Sequence, residues 1–178
     1  MDDEKIDRML EAAVKLTNFT VFDQAQQFEE FNGMGTTLVA ALIRNRSATV
    51  VNVGDSRAYS VTRDGIRQLT VDHSLVQMMV QRGELTPEEA KRHPQRNLIT
   101  RALGPDASVL TDNFYVEWKQ GDFLLLCSDG LVNTVSDQEI LFEVIHNGEP
   151  DTCLERLVAL SRQRGAPDNV TAVLLMNI

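Results

Sequence analysis

Three aspartates sit where apolar runs of this chain end or begin. Asp55 follows ATVVNVG, Asp129 follows FLLLCS, and Asp168 immediately precedes NVTAVLL. An ionised carboxylate at the end of a buried strand costs on the order of several kcal/mol unless a hydrogen-bonded cap, a basic side chain or a cation pairs with it. If the strands bearing Asp129 and Asp168 run antiparallel, the end of one and the start of the other share a sheet edge, and two like charges meet there. Hard divalent ions such as Mg²⁺ and Mn²⁺ suit such a pair, because oxygens hold them, often one or two carboxylates with water completing the shell. Gly130 after Asp129 would let the backbone turn sharply and leave room for that water. Capping accounts for the same residues in another way, with Asp129 capping the next turn and Asp168 forming an Asx-turn. Spacing alone leaves both readings open.

Other side chains carry weaker signals. Arg57 in GDSR could draw a phosphate or form a structural ion pair. His73 in DHS suits a proton relay or a hydrogen bond that fixes its loop. Ser128 could support a metal shell or close a loop. Thr36 and Thr37 read as strand residues without chemistry, and Met78-Met79 as core packing. Cys127 and Cys153 have no CxxC spacing and no His cluster, so they read as reduced buried thiols rather than a zinc or redox site.

The elements that must position these residues follow from periodicity. Apolar residues from Ile6 through Leu10, Val14 and Val21 to Phe28 recur at helical spacing, which predicts one or two helices over 3–30, stopped by Asn32-Gly33. Short β-rich runs follow, TTLVAALI, ATVVNVGD, RAYSVT and GIRQLT, with turn residues at intervals too close for crossover helices, so antiparallel hairpins are expected. Two short helices are predicted in SLVQMMVQRG and TPEEAKRH, the second with Thr86 as N-cap, Pro87 in the first turn and Glu89 closing a capping box. Strands return at VLTDNFYVEW and DFLLLCSD. Helices over 137–146 (Ser136 cap, Glu139 box) and 152–164 (Gly165 stop) precede a last strand, NVTAVLLM. The expected fold class is α+β, a sheet or sheet pair with helices on its faces, in a single domain over 1–178 with 71–104 as an inserted flap.

A formal charge of −9 over 178 residues opposes nucleic acid or an anionic membrane surface as main partner. No apolar run approaches the roughly 20 residues of a membrane span, and the start MDDEKIDRML has no signal-peptide pattern. The expected location is the cytoplasm.

Six blocks, GMGTT (33–37), VGDSRAY (53–59), LTVDHSLV (69–76), RNLITRALG (96–104), LLLCSDGL (124–131) and APDNVTAVLL (166–175), resemble in order and spacing the bacterial type-2C (PPM) metal-dependent protein serine/threonine phosphatases. The resemblance implies two packed antiparallel sheets between helical pairs and a centre of two or three Mn²⁺ or Mg²⁺ ions at one end. It makes Asp129 and Asp168 metal ligands and gives Asp55 a further, weaker metal position. Asp72, His73 and Ser74 belong to the flap linked to substrate choice, and Ser128, Gly130 and Asn169 support the ligands. The implied reaction is hydrolysis of phosphoserine and phosphothreonine in proteins by a metal-activated water.

The sequence departs from the family at one point. Family members carry a phosphate-holding Arg, an NED-like acidic block and a DGMGGH-like block whose Asp bridges the metals, and none of these precedes the first helix here. The expectation is therefore a phosphatase domain without its first strands, weakly active or inactive alone, with fewer metals and with open sheet edges that favour self-association. Two further readings remain: a non-catalytic phosphatase-like interaction module, and a phosphatase of the sporulation or stress-response type.

Overall fold

The computed structural model describes residues 3–147 and 149–178. In chain order the elements are helix α1 (Asp3–Gln27), a 3-10 turn (Glu29–Phe31), strands β1 (Leu38–Arg44), β2 (Ser47–Val53), β3 (Arg57–Thr62) and β4 (Gly65–Gln68), helices α2 (Leu75–Gln81) and α3 (Pro87–Arg92), strands β5 (Asp112–Glu117) and β6 (Phe123–Cys127), helices α4 (Asp129–Val132), α5 (Asp137–Asn147) and α6 (Pro150–Gln163), and strand β7 (Ala172–Met176). The strands form a three-stranded sheet, β1-β2-β5, and a four-stranded sheet, β4-β3-β6-β7. The α+β architecture of two sheets flanked by helices is the one expected. The chain divides into two compact units, each described by itself.

The first unit comprises the chain up to Leu38 together with Val51–Asp55 and Val71–Asn113. α1 buries Ile6, Val14 and Ala25 along one face, whereas Met9, Ala13 and Thr17, apolar or neutral at helical spacing, face outward. The polar Asn18 is buried among them, because its amide donates to the Asp106 carbonyl and its oxygen accepts from the Gly104 amide. Gly104 has φ +100° and lies against Val21 and the Met34 carbonyl, so no side chain fits there. Thr36 and Leu103 exchange two main-chain hydrogen bonds of 3.0 and 2.8 Å, which ties the GMGTT and RNLITRALG blocks together. Thr37 precedes β1 rather than belonging to it. α3 forms as its sequence dictates: Thr86 Oγ1 accepts from Glu89 N, and Glu89 reaches back to the Thr86 amide at 2.8 Å.

The second unit comprises Val39–Val50, Ser56–Thr70 and Phe114–Ile178. Its four-stranded sheet is antiparallel throughout, with β3 paired to β4 and β6, and β6 paired to β7. Alternation puts Tyr59, Val61, Phe123, Leu125 and Cys127 on one face, where they pack with Ile140, Val144, Cys153 and Leu157 of α5 and α6. Ala58 and Leu124 on the other face pack against Ala48, Val50 and Val116 of the three-stranded sheet. Both cysteines are free and buried. α6 begins two residues before the expected start, at Pro150, whose fixed φ and missing N–H suit a first helical turn. It ends at Gln163, and the chain turns away through Gly165, at φ +93°. The one-turn α4 is too short to carry a periodic signal in the sequence.

Candidate active site

The register of β6 against β7 decides where the acids fall. Cys127 lies opposite Ala172, so the residues after β6 and those before β7 share one rim of the second unit. Arg57 opens β3 opposite Cys127 and joins the same rim. Ser128 stitches the two loops: its amide donates to the Thr171 carbonyl (3.0 Å), its hydroxyl donates to the Asn169 carbonyl (3.2 Å) and accepts from the Thr171 amide (3.0 Å). These contacts tie the SDG and PDN loops together.

Gly130 must be glycine because two main chains approach closely there. It is buried in the first turn of α4, and a Cβ there would run into the Asn169 carbonyl. The Asn169 main chain occupies the place a side chain would take. The two loops can approach this closely only without that side chain.

Asp129 and Asp168 are thereby neighbours. Asp129 is half-buried at the start of α4 and accepts from Asn133 Nδ2 (3.1 Å), while Asp168 is exposed and accepts from the Asn169 amide (2.6 Å). Burial, and then the charge of Asp168, raise the Asp129 carboxyl above its ordinary value; the Gly130 amide, Asn133 and the Arg57 charge oppose this. Arg57 also donates to Tyr59 Oη (3.1 Å), and burial pushes that phenol upward, so it stays protonated. Two carboxylates whose joint ionisation is opposed form a donor set suited to a hard cation with water in its remaining positions. Among the described residues, no group of three or more His, Cys, Asp or Glu side chains is placed to hold a metal.

The remaining expected residues lie in the first unit. Asp55 is half-buried after β2, next to Gly54, whose φ is +111° and whose α-carbon lies against the Thr37 side chain. Asp72 is half-buried beside His73. Ser74 caps α2, accepting from the Gln77 amide, and pairs with Ile99. His73 is 7% exposed. Its Nδ1 accepts from the Gly54 amide (2.9 Å), so in the neutral ring the proton is on Nε2, which lies 3.0 Å from Asp112 Oδ2 and 2.9 Å from Arg101 Nη1. Arg101 donates to Asp112 Oδ1 at 2.8 Å. Burial alone would raise the Asp112 carboxyl; the bonds from His73 and Arg101 outweigh it and hold it below the usual carboxylate range. Arg101 and Asp112 did not stand out in the sequence. They lie 28 and 39 residues from His73, beyond any local pattern.

A sequence profile of the protein phosphatase 2C family matches residues 2–161. The chain is 38% identical over 175 residues to the serine/threonine phosphatase Stp of Listeria innocua serovar 6a, which covers 97% of this chain and 68% of that protein. The crystal structure of serine/threonine phosphatase Stp1 from Staphylococcus aureus superposes with a TM-score of 0.93 at 39% identity, covering all of this chain and 70% of that one. The catalytic domain of the phosphatase PstP in complex with two manganese ions superposes with a TM-score of 0.81 at 38% identity, over 93% of this chain and 68% of that one. With its ordered motifs, its two sheets and a match over most of its length, the chain belongs to the protein phosphatase 2C family of serine/threonine protein phosphatases.

Proposed function

We propose that these residues form the metal-holding part of a divalent-cation-dependent phosphatase acting on phosphoserine and phosphothreonine in proteins. Asp129 and Asp168 hold Mn²⁺ or Mg²⁺, and Asp55 serves a further, weaker position. The observation that carries this reading is the β6–β7 register, which delivers the SDG and PDN carboxylates to one rim with the ionisation of Asp129 opposed by Asp168. A bound divalent ion supplies charge neutralisation at the phosphoryl oxygens and an acidified water as nucleophile. The chain's own residues do the rest. Ser128 and Gly130 fix the spacing of the two carboxylates, and Arg57 places a guanidinium beside them where an anionic phosphoryl group would arrive. Asp72, His73 and Ser74 belong to the flap over 71–104, and the whole of 1–178 forms part of one phosphatase domain.

The DGMGGH-like block is not among these 178 residues. The isolated chain therefore binds cation with few ligands and turns over little substrate. A binding-only role draws its support from the lack, among the described residues, of a cluster of three candidate ligands. Calorimetric Mn²⁺ titration of the chain and of Asp129→Asn, with turnover of a phosphothreonine peptide, tests both points. The expected result is Mn²⁺ binding lost in the variant, with turnover near background. Absence of binding in the parent chain would overturn the metal assignment, and brisk Mn²⁺-dependent hydrolysis removed by Asp129→Asn would overturn the low-activity assignment.

No helix among the described residues is long and apolar enough to cross a membrane. We read the chain as a cytoplasmic protein with phosphoprotein partners, and the net charge of −9 opposes nucleic acid or an anionic membrane surface as the main partner. Leu16 and Phe19 on α1, 68% and 58% exposed, support self-association, which sedimentation against concentration tests.

A further inference from the structure

The structure assigns to His73 the task of positioning Asp55: it grips both polar groups of Gly54 and so sets the direction in which the next residue presents its carboxylate. This inference rests on the reading of Asp55 as a ligand for a divalent cation.

The grip has two halves. The Gly54 amide donates to His73 Nδ1 at 2.9 Å, and the His73 amide donates to the Gly54 carbonyl, also at 2.9 Å. That carbonyl belongs to the peptide plane joining Gly54 to Asp55, and it accepts a second bond from Asn52 Nδ2 at 3.2 Å. A glycine at φ +111° is otherwise the least constrained residue a chain can place beside a ligand. Here Thr37 closes on its α-carbon, and His73 and Asn52 hold the planes on either side of it.

The ring is itself held. Asp112 accepts a hydrogen bond from Nε2–H, Arg101 donates to Asp112 and lies 2.9 Å from Nε2, and the His73 carbonyl accepts from the Thr100 amide at 2.8 Å. A fixed carboxylate–imidazole pair sets the tautomer in which Nδ1 can accept, as outer partners of metal-site histidines do for their ligands. His73 acts one step further out. It is read as a positioning residue that orients the main chain on which the ligand stands, not as a ligand itself.

Two substitutions separate this task from ordinary core packing. In His73→Asn the amide oxygen falls near the Nδ1 position and keeps an acceptor for Gly54. In His73→Gln the amide falls near Nε2, keeps a partner for Asp112 and leaves the Gly54 amide without its acceptor. Mn²⁺ titration by electron paramagnetic resonance on the 178-residue chain, with Asp55→Asn defining the Asp55-dependent binding class, gives the readout. The expected result is that His73→Gln weakens that class about 10-fold or more, in the range of outer-partner substitutions at metal sites, while His73→Asn stays within about 3-fold. Amide exchange at Gly54 and Asp55 in the metal-free chain accelerates in His73→Gln and stays slow in His73→Asn. Equal losses in the two variants, or parent affinity in His73→Gln while Asp55→Asn abolishes the class, would overturn the positioning task. No Asp55-dependent class in the parent chain would overturn the reading of Asp55 on which it rests.

Discussion

The α-carbon of Gly130 lies against the main-chain carbonyl of Asn169, with no room for a side-chain carbon between them. This contact sets how closely the SDG and PDN loops approach. Gly130→Ala must move backbone, not a flexible side-chain tip. It should cost about 1–3 kcal/mol of stability, as overpacking does, and weaken Mn²⁺ binding more than the stability loss alone explains. A calorimetric titration paired with a thermal melt measures both. Unchanged affinity in the alanine variant would contradict the spacing role.

Ionising Asp129 beside Asp168 opposes folding of the metal-free chain. Because the folded-state value of Asp129 is raised, its contribution to stability is full below the unfolded-state value and is lost as pH rises through the folded-state value. Divalent cation should reverse that loss. At a concentration about 100-fold over Kd, Mn²⁺ adds roughly 2.7 kcal/mol, a rise in Tm of roughly 5–10 °C for a chain of this size. Asp168→Asn should leave the metal-free melt at neutral pH equal to or above that of the parent and remove most of the Mn²⁺ response. Scanning calorimetry with and without Mn²⁺ at neutral pH decides it.

The pair Arg164–Glu139 clamps the end of α6 to the start of α5, and Ser136 adds hydrogen bonds from its amide and hydroxyl. The Arg164 bond first, then those of Ser136, hold Glu139 far below the ordinary carboxylate range. A depressed value in the folded state gives stability above the unfolded-state value, about 4.3, and this is lost as pH falls further. Glu139→Gln should therefore lower Tm at neutral pH and flatten its decline below about pH 4. The pair is solvent-exposed, so the effect should not exceed about 1 kcal/mol. Melts between neutral and acid pH would show it, and parallel curves for parent and variant would contradict it.

Cys127 and Cys153 are buried in the core shared by the four-stranded sheet with α5 and α6, and burial pushes the Cys153 thiol up to about 11. Neither should react with an aromatic disulfide reagent in the native chain over the time in which both react in denaturant. A spectrophotometric thiol count under the two conditions checks this. Rapid native labelling of either residue would show that the core opens.

Local chemistry made part of this molecule readable in its sequence. Thr86, Pro87 and Glu89 announced α3 because a capping box lies within four residues, and the apolar runs of β6 and β7 announced strands whose ends carry acids. The meeting of those acids required one further assumption, antiparallel pairing, and the register provides it. What escaped depends on distant partners. Asn18 lies on the buried face of α1 because Gly104 and Asp106 need its amide, while Met9 and Ala13, which hydrophobic periodicity would place inside, face out. The crowding at Gly130 comes from Asn169, and the orientation of His73 from Asp112 and Arg101. No window of neighbouring residues encodes these.

The register of β7 also governs when the rim can exist during folding. Asp129 and Asp168 stay strangers until β7 docks along β6, a non-local step that follows the quicker closure of local turns and helices. A ligand requiring both carboxylates meets no half-assembled version of its site. Its uptake during refolding would therefore act as a clock for the pairing of β7 with β6.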